Sequence, residues 1–228
     1  MKDQAIQILE AQGALPAIQF LQSQADTPVA CAAFNDLLKH AYNQMKDIHA
    51  VVEIAQAGIK YAGDKAAEST DKDLSLELLG RVKALNYNLA SFTWPGWDEE
   101  GIGPITPEQL ALGLQAAREN LRLAVELKRD DLRRSRAYWV VAAQLLAAGD
   151  LAGAGENFEE AVKYAAKAGE AADEALSRGY LAVTAVLANP EDQAAQQALA
   201  AAKETLSQME YVDFFINQLD STLRVFGG

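Results

Sequence analysis

The chain has 228 residues, half of them hydrophobic and 23% charged, which excludes a disordered segment and leaves ample length to bury a core. Its 20 basic and 32 acidic residues give a formal net charge of −12, a field that repels a phosphate backbone and argues against nucleic acid as the main partner. Six prolines and fifteen glycines are too few for a many-turned all-β fold, no apolar run approaches the roughly 18 residues that span a bilayer, and Cys31, the single cysteine, can form no internal disulfide. With no basic cluster and apolar stretch after Met1-Lys2-Asp3-Gln4, the expectation is a cytoplasmic protein without membrane insertion.

Apolar residues recur at spacings of three and four, never in strict alternation, so the chain reads as all-α. The expected helices run over 3–12, 16–24, 28–45, 47–62, 72–93, 107–129, 131–148, 151–168, 170–188 and 191–224. Thr27-Pro28, Thr106-Pro107 and Asn189-Pro190 each place a capping side chain before a proline at the first helical position. Thr106 and Gln109 form a capping box, Asp47, Asp131 and Asp150 are further caps, and Gly13, Gly63, Gly149 and Gly169 are stops.

Residues 93–105, TWPGWDEEGIGPI, hold three glycines, two prolines and two tryptophans and cannot be a helix interior. A loop of this length inside a helical domain is often functional, and its two tryptophans are expected to fold back onto a neighbouring apolar stripe. In the last helix Val212, Phe215, Ile216, Leu219, Leu223 and Phe226 make a stripe nearly four turns long. It is expected to pack back on 170–188, with a homodimer through this helix as the alternative. The ending Arg224-Val225-Phe226-Gly227-Gly228 is read as a frayed terminus.

The clearest repeating unit starts at Ser135. Tyr138, Val141, Ala142 and Leu145 take positions 4, 7, 8 and 11, Gly149-Asp150-Leu151 makes the turn, and Ala154, Phe158 and Ala161 take positions 20, 24 and 27. This resembles the tetratricopeptide repeat, a helix–turn–helix of about 34 residues in which small residues let paired helices approach and large ones fill the gaps. Ala166 stands where the family usually has proline. A second unit from Ala32 has Leu38 and Tyr42 on its first helix and Val51, Ala55 and Gly58 on its second, with Lys39 where a small residue is expected. A third pairs Leu89 and Ala90 with Ala117, Leu121 and Ala124, in register only if 15 extra residues, the 94–105 loop among them, lie between. The resemblance implies a single all-helical domain, 1–228, organised as an antiparallel helix-pair solenoid. Residues 1–27 are N-terminal helices, 28–168 helix pairs with the loop 93–105 inserted, and 169–228 capping helices.

Members of that family bind extended or helical peptides in a concave groove lined by first-helix positions 2, 5, 9, 12 and 13. Carried onto this chain, these are Arg136, Trp139, Ala143, Leu146 and Ala147 in the best unit, Ala33, Asp36, His40, Asn43 and Gln44 in the Ala32 unit, and Ala84, Tyr87, Ser91 and Trp94 in the inserted one. Trp139, Ala143, Leu146 and Leu132 form a second apolar stripe that either a bound peptide or a neighbouring helix must cover. Some family members clamp a C-terminal carboxylate with Lys and Asn here; of the matching positions in this chain only Arg136 is cationic. Arg118, Arg122, Arg129 and Arg133 lie in a basic stretch that would either grip an acidic or phosphorylated segment or pair with Glu119, Glu126, Asp130 and Asp131 nearby, the commoner arrangement. Asp98-Glu99-Glu100 lacks calcium-loop spacing, and no HExxH, CxxC, GxSxG or phosphate-loop pattern occurs. No catalytic set, metal or cofactor is therefore expected. The expected function is a protein- or peptide-binding adaptor or chaperone, with a homo-oligomeric scaffold as the alternative and a small-molecule binder or enzyme third.

Overall fold

The computed structural model describes residues 1–210 and 212–227, with the backbone alone at Val212. The described residues are all-helical, with no strand among them. In chain order the helices are α1 (Lys2–Gln12), α2 (Ala14–Gln22), α3 (Thr27–Asn43), α4 (Ile48–Glu68), α5 (Lys72–Phe92), α6 (Pro107–Glu126), α7 (Asp131–Ala147), α8 (Leu151–Ala168), α9 (Ala171–Ala188), α10 (Gln193–Ser207) and α11 (Val212–Phe226). A single 3-10 turn, Pro95–Trp97, lies between α5 and α6. No helix of the described residues is long and apolar enough to cross a membrane.

Local chemistry starts most of these helices. Asp47 and Asp150 cap α4 and α8 by accepting from the backbone N–H of Ala50 and Gly153, as their positions imply. Thr106 and Gln109 close a reciprocal capping box, with Gln109 Oε1 accepting from the Thr106 N–H and Thr106 Oγ1 from the Gln109 N–H. Other boundaries differ from expectation by a residue or a turn. Asp26, not Thr27, caps α3, and Asp130, not Asp131, caps α7, because the carboxylate one residue earlier reaches a free N–H. Asn189 ends α9 and Asp192 caps α10, so Pro190 lies in the turn between them rather than at a first helical position. Gly63 stops nothing: α4 continues through it to Glu68. The expected helix 191–224 is two helices, broken after Ser207, and Arg224 to Phe226 are helical rather than frayed. Gly228, the end of that tail, lies outside the described residues.

The chain forms two compact units. The first comprises Met1–Thr93 and Gly101–Leu123; the second comprises Trp94–Glu100 and Ala124–Gly228. In the first, α1 to α5 pack in sequence order, each helix against the next and the next but one. Its core is Leu9, Leu21, Phe34, Leu37, Ile54 and Leu85. Gly58 brings α4 close to α3: a Cβ there would stand 3.0 Å from the Phe34 ring. Asn88 Nδ2 donates to Asn35 Oδ1 at 2.6 Å, tying α5 to α3.

In the second unit α7 packs on α8, α8 on α9 and α9 on α10, each pair antiparallel across a short turn. Gly149, with φ at 81°, makes the α7–α8 turn in the left-handed region that glycine enters without strain. Ala142, Ala154 and Ala161 are fully buried between α7 and α8, and Ser135 Oγ donates to the Ala161 carbonyl at 2.8 Å across the same contact. Two helices can approach this closely only where their facing side chains are small. Ala142→Leu and Ala154→Leu should therefore each destabilise by about 1–3 kcal/mol, because overpacking forces the backbones apart. Thermal melts matching the wild type would show that these alanines do not set the helix spacing.

Candidate functional site

The residues assigned to the expected groove are distributed over both units, and each set meets other parts of its own unit. On α3, Asp36 lies 3.8 Å from the Lys2 ammonium and His40 Nε2 lies 2.9 Å from Glu10 Oε1, so side chains of α1 engage this face. Ala33 is buried beside them and Asn43 is exposed. On α5, Tyr87 is half-buried and Ser91 buried.

In the second unit two of the groove residues, Trp94 and Trp139, lie within an aromatic cluster. Trp94 is only 2% exposed. Its ring lies 5.0 Å from Trp97, 5.6 Å from Trp139 and 5.9 Å from Tyr180, all edge-on, with Phe226 at 6.3 Å. The Tyr180 ring stacks in turn on Phe158. Trp139 is 8% exposed and Leu146 is buried, so the second apolar stripe of α7 is covered by the chain's own loop and by α9. The loop is held by α11: Ser221 Oγ donates to the Gly96 carbonyl at 2.8 Å, and Arg224 donates to Asp98 Oδ2 at 2.6 and 2.9 Å. Asp98 is thus an ion-pair partner, and no cluster of three metal-ligating side chains occurs among the described residues.

Part of the basic stretch is paired within the chain. Arg122 makes a two-pronged bond to Glu119 at 2.7 and 2.8 Å, Arg133 pairs with Asp130, its own helix cap, and Arg136 pairs with Asp173 at 2.8 Å. Arg129 is half-buried, and its N–H donates to the Ala124 carbonyl at the end of α6. Arg118 is exposed and has no ion pair among the described residues. Burial pushes the Cys31 thiol up to about 11, so it stays protonated and unreactive near neutral pH.

A different feature stands open in the first unit. A cleft of about 800 Å³ lies between α4, α5 and α6. Ile59, Leu89, Leu112 and Leu114 give it an apolar lining, and Lys60, Arg118, Glu119 and Arg122 carry its charges. Each helix also contributes one side-chain amide: Gln56 from α4, Asn86 from α5 and Gln115 from α6. Asn86 is 4% exposed and lies among Val82, Leu85 and Leu89 on the buried face of α5. Its Nδ2 donates to the Val82 carbonyl at 2.9 Å. Behind it, buried Asn120 donates to the Lys83 carbonyl at 2.8 Å and fastens α6 to α5.

Sequence reasoning named Arg118 and Arg122 of this cleft and missed its amides. A signal existed: Asn86 falls at position 4 of the inserted unit, where the repeat pattern calls for a large residue. No protein-family model matches the chain, and no curated protein matches it.

Proposed function

We propose that this chain is a polypeptide-binding module of the tetratricopeptide type, acting by shape and burial without covalent chemistry, and that the α4–α5–α6 cleft holds its partner. The observation that carries this reading is the make-up of the cleft: apolar walls from three helices with one side-chain amide from each, Gln56, Asn86 and Gln115. The cleft's volume is within the usual range for ligand sites, and its few polar groups among apolar walls match their usual make-up. The repeat pattern adds support, since the small positions Ala142, Ala154 and Ala161 lie at a close helix contact. A lone buried thiol and an acidic chain are compatible with the cytoplasm.

The test uses Ala111, which lines the cleft from an exposed position on α6, so a larger side chain there fills the cleft without entering the core. Peptides enriched from a randomised display library on the wild-type protein should bind Ala111→Trp at least about tenfold more weakly, with circular dichroism unchanged. Failure to enrich any peptide, or equal binding by the variant, would rule the cleft out.

A further inference from the structure

We infer that the cleft selects acidic polypeptide segments, with a carboxylate of the partner meeting Arg118; this deepens the peptide-binding reading above and rests on it. The chain as a whole carries −12, yet the cleft is lined by three cations, Lys60, Arg118 and Arg122, against one anion, Glu119. Two of the cations are engaged within the chain. Lys60 pairs with Asp64 at 2.7 Å, and Arg122 is held by both oxygens of Glu119. Arg118 is left with no ion pair among the described residues, one turn before Arg122 on the same helix face. Its guanidinium is a ready partner for a carboxylate, which it can hold by two parallel bonds.

The lining then identifies what carries that carboxylate. Three amides, one from each helix, both donate and accept, as a peptide main chain requires of a surface that holds it. Asn86 lines the cleft with its Nδ2 given to the Val82 carbonyl, so what it offers a ligand is its Oδ1 acceptor, which suits a main-chain N–H. Ile59, Leu89 and Leu112 offer contact to apolar side chains on either side. A nucleic acid fits poorly: one unpaired cation cannot offset the repulsion between a phosphate backbone and a chain of this net charge. The chain's net charge of −12 also disfavours acidic segments elsewhere on it, which favours this one cationic cleft.

Two peptide arrays test the inference: short peptides combining Leu or Phe with Glu in every order, and a matched array with Gln in place of Glu. The acidic peptides should bind the full chain at least about tenfold more tightly than their Gln counterparts, and added salt should shrink the difference. Arg118→Gln, at an exposed position without an ion pair, should leave the fold intact and bring the two arrays to the same affinity. Ala111→Trp should weaken both. If the Gln peptides bind as tightly as the Glu peptides and Ala111→Trp blocks them equally, the acidic preference is wrong while the cleft stands. If Ala111→Trp changes nothing, or both arrays stay silent, the cleft itself is wrong and the inference falls with it.

Discussion

Replacing Trp94 with alanine lowers stability by about 3–5 kcal/mol, the largest effect expected of any single substitution in the second unit. The residue sits in a loop that composition alone marks as irregular, yet its ring meets Trp97, Trp139, Tyr180 and Phe226. Truncation removes a large apolar surface from a site that closes poorly over the gap. Tyr180 is pinned by its hydroxyl bond to Gln218 and by stacking on Phe158, and the Pro95–Trp97 turn is held to α11 through Gly96 and Asp98. The loss should appear as a fall in Tm of roughly 6–20 °C for a chain of this size, with the fluorescence of Trp139 shifted toward that of a solvated indole. Trp94→Phe keeps most of the packing and should lose about half as much. A melt within 2 °C or so of the wild type would mean that the loop does not contribute to this core.

Local chemistry was legible in the sequence where it depends on neighbours along the chain. Asp47, Asp150 and the Thr106–Gln109 box need only the next few N–H groups, and the structure places them as their spacing implies. Asn189-Pro190 shows the limit of the same reasoning. A proline after a capping residue fits both a helix start and a turn, and Asp192 two residues later competes successfully for the N-cap. The break between α10 and α11 falls at Ser207 to Glu210, without glycine or proline, so nothing local announces it. What joins Gly96 to Ser221, or sets Trp94 against Phe226, acts over more than a hundred residues of chain and leaves no periodicity to read. The cleft was hidden for a related reason. Its lining comes from three helices, and Asn86 reads as one polar residue in an otherwise apolar stripe until Gln56 and Gln115 are seen to line the same cleft. Covering of the α3 face by α1 was equally invisible, because Glu10 and His40 stand thirty residues apart.

Deleting residues 211–228 should destabilise the protein at every concentration rather than change its state of association. The apolar stripe expected on the last helix is turned inward in the structure. Leu219 is fully buried and meets Gly179 so closely that a Cβ there would lie 2.6 Å from it, while Phe215, Ile216, Leu223 and Phe226 are half-buried. The side chain of Val212, the first residue of that stripe, lies outside the described residues. Polar bonds fix the register along the same face: Gln218 accepts from Tyr180, Ser221 donates to Gly96, Arg224 donates to Asp98, and Lys203 of α10 pairs with Asp220. Removing α11 therefore exposes α9 and Trp94 together. Buried apolar side chains contribute roughly 1.5–3 kcal/mol each before ordering entropy is subtracted, so the loss of several should exceed the margin that keeps a domain of this size folded. Cooperative melting of the second unit should disappear, or the truncated chain should aggregate, equally at low and high protein concentration. Phe214, at 61% exposure, is the large apolar side chain on α11 that remains available to a partner. Phe214→Ser should accordingly leave the melt unchanged. A truncated chain that stays folded and merely passes from dimer to monomer would reverse the argument and make α11 an interface between copies.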